Sequence, residues 1–348
     1  MTRTPPIHII HTIGDPTGIG PEITAKYLSQ TSIAGHSTPF SLTIIGHIGK
    51  LQEAAEQLNI PLPPESGDLR YIAMESPKGS CPPKSPGNIA YHSLVRAVEQ
   101  IHRLQKEAPS IQLALVTGPI NKANLHQAGH QYAGHTEILE ALSNQYFPHQ
   151  NNVPYQSDML FVYRHLRILL LTRHIPLSQV STSLSIPKAA RSINQLTQYL
   201  QHYGPIHNPH YALFGINPHA GEVGGTEEET LLKPLIQQIH SQQNASARIT
   251  GPLAADGAVR GLNPETPEYD AYIAPYHDQG LIPIKLLAGH HAVNVTIGLP
   301  FLRTSVSHGT AEDIVGLGIA EPDSLIATME LTQQHLTSFS KTLKTQPV

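Results

Sequence analysis

Short runs of consecutive apolar residues alternate along this chain with stretches whose apolar positions recur at helical spacing. The runs at 7–13 (IHIIHTI), 42–46, 112–117, 159–163, 167–172, 211–216, 270–274, 281–287 and 291–297 predict strands. Most lack period-two alternation, the pattern of strands covered on both faces. Helical spacing predicts helices over 21–30, 50–58, 88–106, 136–146, 188–203, 226–241 and 322–343. Pro21 in a first turn, Asn88 as a cap after Pro-Gly, and Glu227, Glu228 and Glu229 at a positive helix end mark starts. Alternation of this kind predicts a largely parallel α/β architecture. The proline-rich stretch 61–87 interrupts it and reads as a long loop within one domain, with a short strand at 70–74.

The length of 348 residues suits two domains or one large α/β unit. A net charge of −4 without any Lys/Arg run excludes the electrostatic footprint of a nucleic-acid binder. The longest apolar runs fall far short of the roughly 20 residues that span a bilayer. The N-terminal stretch has no apolar core of signal-peptide length. A lone Cys81 excludes an intramolecular disulfide and fits a reducing compartment. These features predict a soluble cytoplasmic protein with neither membrane nor nucleic-acid partners.

Four groups of residues can carry chemistry. GDPTGIGPEI at 14–23 follows the first strand, and Pro21 opens a helix whose free N–H groups can face an anion. Its spacing is not the dinucleotide fingerprint G-x-G-x-x-G, so a plain glycine-rich turn is equally compatible. His174, His219 and His277 each follow a predicted strand, at the edge where open α/β sheets build ligand sites. Three imidazoles with an open position suit a catalytic cation, although some of the 22 histidines follow strands by chance. His135 and Thr136 (in HTE), Lys285, Asn294 and Arg303 form a third group. Lys285 lies in the predicted strand LIPIKLL, where a buried ammonium needs an anion. Lysine and arginine are the usual partners of phosphate and carboxylate, and structural ion pairs are the alternative for each singly. In the fourth, SHGTAEDI, Thr310 is placed to cap a helix, with Asp313 close to a capping box.

The strings GDPTGIGPEI, VTGPINKANL, GHTEIL, TRHIPL, NPHAGE, GPLAADGAV, APYHDQGLIPIK and AVNVTIGLPFLRTSVSHGTAEDI occur in one order over about residues 7–335. In this the chain resembles the 4-hydroxythreonine-4-phosphate dehydrogenase family, NAD(P)-dependent enzymes of vitamin B6 biosynthesis. The first and last motifs also resemble loops of isocitrate and isopropylmalate dehydrogenases. The resemblance implies a two-domain α/β/α sandwich of that type, with mostly parallel sheets and the active site in the interdomain cleft. It implies a cofactor-side domain of 1–133 with 295–348, and a central metal, substrate and dimerisation domain of 134–294.

Carried over residue by residue, the resemblance assigns a divalent metal (zinc, magnesium or cobalt) to His174, His219 and His277. It assigns substrate contacts to His135, Thr136, Lys285, Asn294 and Arg303. NAD or NADP is expected near Gly14, Asp15, Gly309, Thr310, Ala311 and Asp313. Lys285, Asp256 and Asp278 are the candidates for the general base. The metal site is expected to be completed across a homodimer interface. The implied reaction oxidises 4-phosphooxy-L-threonine to 2-amino-3-oxo-4-phosphooxybutanoate, which decarboxylates to 3-amino-2-oxopropyl phosphate. The alternatives are a dehydrogenase of threonate or erythronate 4-phosphate and, in another class, a metal-dependent hydrolase or phosphate-handling acyltransferase. The chain departs from the family pattern at Ser307, where many relatives carry Asp, at AADG (254–257), and in a shortened loop after His219.

Overall fold

Strands that are apolar on both faces need cover on both, and the helices between them provide it. A computed structural model describes residues 6–30, 40–74, 85–149, 152–204, 206–241 and 247–345. Cys81 and part of the proline-rich stretch lie outside the described residues. The chain forms two compact units, 1–157 with 299–348, and 158–298. This division places His135 and Thr136 in the first unit, whereas the sequence grouped them with the second.

The first unit opens with β1 (Ile7–Thr12), α1 (Gly20–Gln30), β2 (Phe40–Gly46), α2 (Ile48–Gln57) and β3 (Leu69–Ala73). It continues with α3 (Pro86–Glu107), β4 (Gln112–Thr117), α4 (Lys122–Gln127) and α5 (His135–Tyr146). The second unit begins with β5 (Asp158–Tyr163), β6 (Leu166–Leu170), α6 (Val180–Ser183) and α7 (Ile186–Tyr203). Next come β7 (His210–Phe214), α8 (Lys233–Ser241), β8 (Arg248–Leu253) and α9 (Ala255–Ala258). β9 (Ala271–Ala274), α10 (His277–Ala288) and β10 (Val293–Ile297) complete it. The chain then returns to the first unit with β11 (Leu302–Ser305) and α11 (Asp323–Thr345).

In the first unit the strand order is β3-β2-β1-β4-β11, all parallel. Every residue of β4 is buried. One stripe of α3, Leu94, Ala97, Val98 and Ile101, lies at helical spacing against Ile10, Ile45, Leu113 and Leu115. Each such side chain contributes about 1.5–3 kcal/mol by leaving water, so Ile101→Ala would cost about 2–5 kcal/mol. The cap of α3 is Ser85, whose side chain accepts from the Asn88 N–H, and not Asn88 as the sequence suggested. Ser85 precedes Pro86, and proline is preferred at the first helical position.

In the second unit the order is β10-β5-β6-β9-β7-β8. β5 runs antiparallel to both neighbours, and β6, β9, β7 and β8 are parallel. Phe161, Ile168, Phe214, Tyr272, Leu281 and Ile284 share its core. The expected strand at 281–287 is instead part of α10, with Lys285 exposed. Leu281, Ile284 and Ala288 are buried at helical spacing, while Ile282, Leu286 and Leu287 are exposed. The run is apolar all round, which is why it read as a strand covered on both faces. Lys285 therefore has no need of a buried counter-anion.

Candidate active site

The glycine-rich turn after β1 joins the 308–320 loop within the first unit. Gly14 has φ +94°, and a Cβ there would meet the Pro119 carbonyl oxygen at 2.1 Å, so only glycine fits. Asp15 is fully buried. Its carboxylate accepts from the Thr17 N–H (2.9 Å), the Thr17 hydroxyl (2.6 Å) and the Asn124 amide (2.9 Å), so it shapes the turn. Ile19 N–H donates to the Thr310 carbonyl at 2.9 Å. Gly18 lies so close that a Cβ would sit 2.8 Å from the Thr310 Cβ. Two of the sequence motifs thus pack together, with Gly14 and Asp15 buried beneath the turn, and the chain continues from Gly309 and Thr310 to Ala311 and Asp313.

Thr310 does not cap a helix. The segment after it is a single 3₁₀ turn, Glu312–Ile314, preceded by Ala311 in the left-handed region at φ 43°. Asn121 donates to the Glu312 carboxylate and ties down that turn. The 318–320 stretch is fastened to α1. Lys26 donates to Glu22 (2.8 Å) and to the Gly318 and Ala320 carbonyls, and Glu22 accepts from the Ala320 N–H at 2.8 Å.

The first unit also brings His135 and Arg303 together. Arg303, on β11, is 1% exposed and donates to the Thr117 hydroxyl at 2.6 Å. Burial pushes its guanidinium down to about 9, while Glu137 acts to hold it up. Burial and the charge of Arg303 push the His135 imidazole well below its usual range, against a hydrogen bond with the Gly118 backbone. The His135 ring is therefore neutral at physiological pH. Its Nε2 is buried without a hydrogen-bond partner among the described residues. His135 and the buried Thr136 open α5, whose Gly134 cap makes no side-chain hydrogen bond. A helix N-terminus beside a buried guanidinium favours an anion.

In the second unit β6, β9 and β7 are adjacent and parallel. His174, His277 and His219 follow their respective carboxyl ends, so topology carries all three to one sheet edge. The His174 and His277 ring centroids lie 5.5 Å apart. Two imidazoles sharing one ion at N–metal distances of about 2.0–2.1 Å have centroids roughly 5 Å apart, so this pair fits a shared cation. His277 Nδ1 contacts Asp278 Oδ1 at 2.7 Å. A carboxylate on that nitrogen leaves Nε2 as the ligand atom. His219 stands in the 218–221 turn and, with Ala220, adopts left-handed φ values of 53° and 54°. Within one chain, no three His, Cys, Asp or Glu among the described residues are gathered closely enough to hold an ion. The second unit thus pairs two of the expected ligands and brings the third to the same edge on an exposed turn.

Asp256 is exposed on α9, which packs against the His219 turn. Asn294 lies on β10 opposite Phe161 of β5, with its Oδ1 buried and unpartnered among the described residues. A residue that sequence reasoning missed is Glu228. The sequence places it only among three acids at a positive helix end; it is 2% exposed and opens a π-helical turn, Glu228–Leu232, ahead of α8. It accepts from the Ile216 N–H (2.8 Å), the Asn217 N–H (2.7 Å) and the Asn217 amide (2.8 Å). It thereby fixes the backbone that leads into His219. Neighbouring Glu227 accepts from the same amide at 2.9 Å.

The sequence matches the family described as "Pyridoxal phosphate biosynthetic protein PdxA" over residues 25–332. The 4-hydroxythreonine-4-phosphate dehydrogenase of a Synechocystis species is 37% identical, covering 94% of this chain and 95% of that protein. Its namesake from a Synechococcus species is 38% identical, covering 90% of each. A crystal structure of 4-hydroxythreonine-4-phosphate dehydrogenase from Klebsiella pneumoniae superposes with a TM-score of 0.75 at 31% identity. It covers 95% of this chain and 99% of that one.

Proposed function

The chain belongs to the PdxA family of pyridoxal phosphate biosynthesis, and from that premise we propose how its residues carry out the family's dehydrogenase reaction. The reaction is the NAD(P)-dependent oxidation of 4-phosphooxy-L-threonine to 2-amino-3-oxo-4-phosphooxybutanoate. That β-keto acid loses carbon dioxide, because the ketone accepts the electron pair of the breaking C–C bond, and yields 3-amino-2-oxopropyl phosphate.

The observation that carries this reading is the buried Arg303 beside the neutral His135. A buried guanidinium is costly unless it meets an anion, and the substrate brings a phosphate and a carboxylate. His135, Thr136 and Arg303 bind anionic groups of the substrate, and Lys285 and Asn294 are its further contacts. Asn294 contributes a neutral carbonyl acceptor.

His174, His219 and His277 would hold a divalent cation, zinc, magnesium or cobalt, whose chemistry there is Lewis-acid polarisation of the substrate alcohol. Gly14, Asp15, Gly309, Thr310, Ala311 and Asp313 would hold a nicotinamide dinucleotide, which when bound would supply the hydride acceptor. Asp278 is engaged with His277 and orients that ring. This leaves Asp256, exposed beside the His219 turn, as the favoured proton acceptor and Lys285 as the second candidate.

The active form is a homodimer, with the metal site completed by the second copy. Ile282 and Leu286 support this, because they stand 66% and 84% exposed one turn apart on α10, an apolar stripe of the kind that subunit interfaces cover. Among the described residues no helix is long and apolar enough to cross a membrane, and we place the enzyme in the cytoplasm. Purified protein should reduce NAD or NADP with 4-phosphooxy-L-threonine, and faster than with threonate or erythronate 4-phosphate. Preference for either of those acids would move the assignment to a related dehydrogenase. Turnover of a phosphorylated substrate without any nicotinamide nucleotide would point to the hydrolase or acyltransferase class.

A further inference from the structure

A cavity of about 300 Å³ opens in the first unit between the glycine-rich turn, α2 and the 315–318 loop. Ile19, Leu58 and Leu317 give it apolar walls, and Lys50, Glu53 and Gln57 give it a polar side. Apolar walls with a few convergent polar groups suit a flat base joined to a sugar.

Its charges discriminate further. Among the described residues that line it, Lys50 is the only cation. Its ammonium is held by the Glu53 carboxylate at 2.5 Å. Glu22, at the other side, already accepts from Lys26 and the Ala320 N–H. Lys26 is further occupied by the Gly318 and Ala320 carbonyls. No lining cation is therefore left without a partner. A phosphate entering here would have to split the Lys50–Glu53 pair and then lie beside a carboxylate. A ribose diol meets the opposite situation, since its hydroxyls donate to that carboxylate. The same logic separates the two dinucleotides elsewhere: an acidic side chain suits the free 2′-hydroxyl and a basic one the 2′-phosphate.

We propose that this cavity takes the adenosine end of the dinucleotide and that Glu53 accepts the ribose hydroxyls, so that the chain selects NAD over NADP. The inference rests on the dehydrogenase reading, and it can fail while that reading stands. The test is calorimetric titration of the full chain with 5′-AMP and with 2′,5′-ADP, which differ only by the 2′-phosphate. The unaltered protein should bind 5′-AMP at least about tenfold more tightly, the scale of one charge-assisted hydrogen bond. Glu53→Gln should narrow the ratio, and Glu53→Lys should reverse it. Both changes fall on a half-exposed helix position and leave the fold intact. Equal or tighter binding of 2′,5′-ADP by the unaltered protein overturns the proposal. So does a ratio unmoved by Glu53→Lys, or no binding of 5′-AMP. None of these results touches the dehydrogenase assignment, which falls only if neither nucleotide is reduced with any phosphorylated hydroxy acid.

Discussion

Glu228 holds Asn217 at two points, accepting its backbone N–H at 2.7 Å and its side-chain amide at 2.8 Å. Two residues on, His219 and Ala220 adopt left-handed conformations that cost about 1–3 kcal/mol each. The Glu228 hydrogen bonds offset that cost and hold the turn in shape. Burial pushes the Glu228 carboxyl up, but hydrogen bonds from Asn217 and Ile216 outweigh it and leave the group below its ordinary range. It is therefore ionised at neutral pH. Glu228→Gln turns one acceptor into a donor facing donors. We expect the variant to fold and to lose about 10- to 100-fold in metal affinity, measured by competition with a chromophoric chelator.

The contact between His277 and Asp278 makes a separate prediction. Asp278→Ala should leave His277 free to rotate and weaken divalent-metal binding by about tenfold or more. Cobalt substitution gives the readout, because the visible spectrum of the bound ion reports its ligand geometry. An unchanged spectrum and affinity would show that Asp278 does not orient the ring.

Arg303 should govern substrate binding more than stability. Arg303→Met keeps much of the side-chain volume and removes the guanidinium. Loss of a charged hydrogen-bonding group predicts a fall of roughly 10- to 100-fold in kcat/KM for 4-phosphooxy-L-threonine, carried mainly by KM. Replacement by lysine should rescue only part of this, since an ammonium lacks the planar fork. Steady-state kinetics on the two variants tests both statements.

Buried neutral histidines predict acid sensitivity. His11 is fully buried, and burial lowers its pKa from 6.5 to about 4, partly opposed by its hydrogen bond to the Val116 carbonyl. His135 shifts in the same direction. As pH falls below 6.5 the unfolded chain takes up protons that the native state refuses, so stability present above that pH is progressively lost. His11 alone should cost about 2 kcal/mol at pH 5 relative to pH 7.5. Urea unfolding at the two pH values measures the loss, and His11→Gln should reduce it.

Much of the fold was legible because buried strands announce themselves. β4, with every residue buried, is the apolar run QLALVT. The misses have physical causes. β11 reads Leu-Arg-Thr-Ser and carries no apolar run, because its buried polar side chains find partners within the first unit: Arg303 donates to the Thr117 hydroxyl, and Thr304 bonds Thr332 at 2.7 Å. β8 contains Gly251 and Pro252 and ends the strand order of its unit, where the apolar signal is weakest. α10 read as a strand because its second face, Ile282 and Leu286, is apolar yet uncovered within one chain. The positions of the three histidines after strands were readable, and the 5.5 Å approach of two of them was not. Glu228 is legible only as one of three consecutive acids at a helix start, and nothing in that run distinguishes the one that is buried.

The most direct test concerns the cation. Chelator-treated protein is assayed for NAD(P)H formation from 4-phosphooxy-L-threonine, before and after zinc, magnesium or cobalt is returned, with His219→Ala alongside. No product should form until a metal is restored, and none from His219→Ala under either condition. Full-rate turnover in excess chelator, or by His219→Ala, would show that the three histidines hold no catalytic cation.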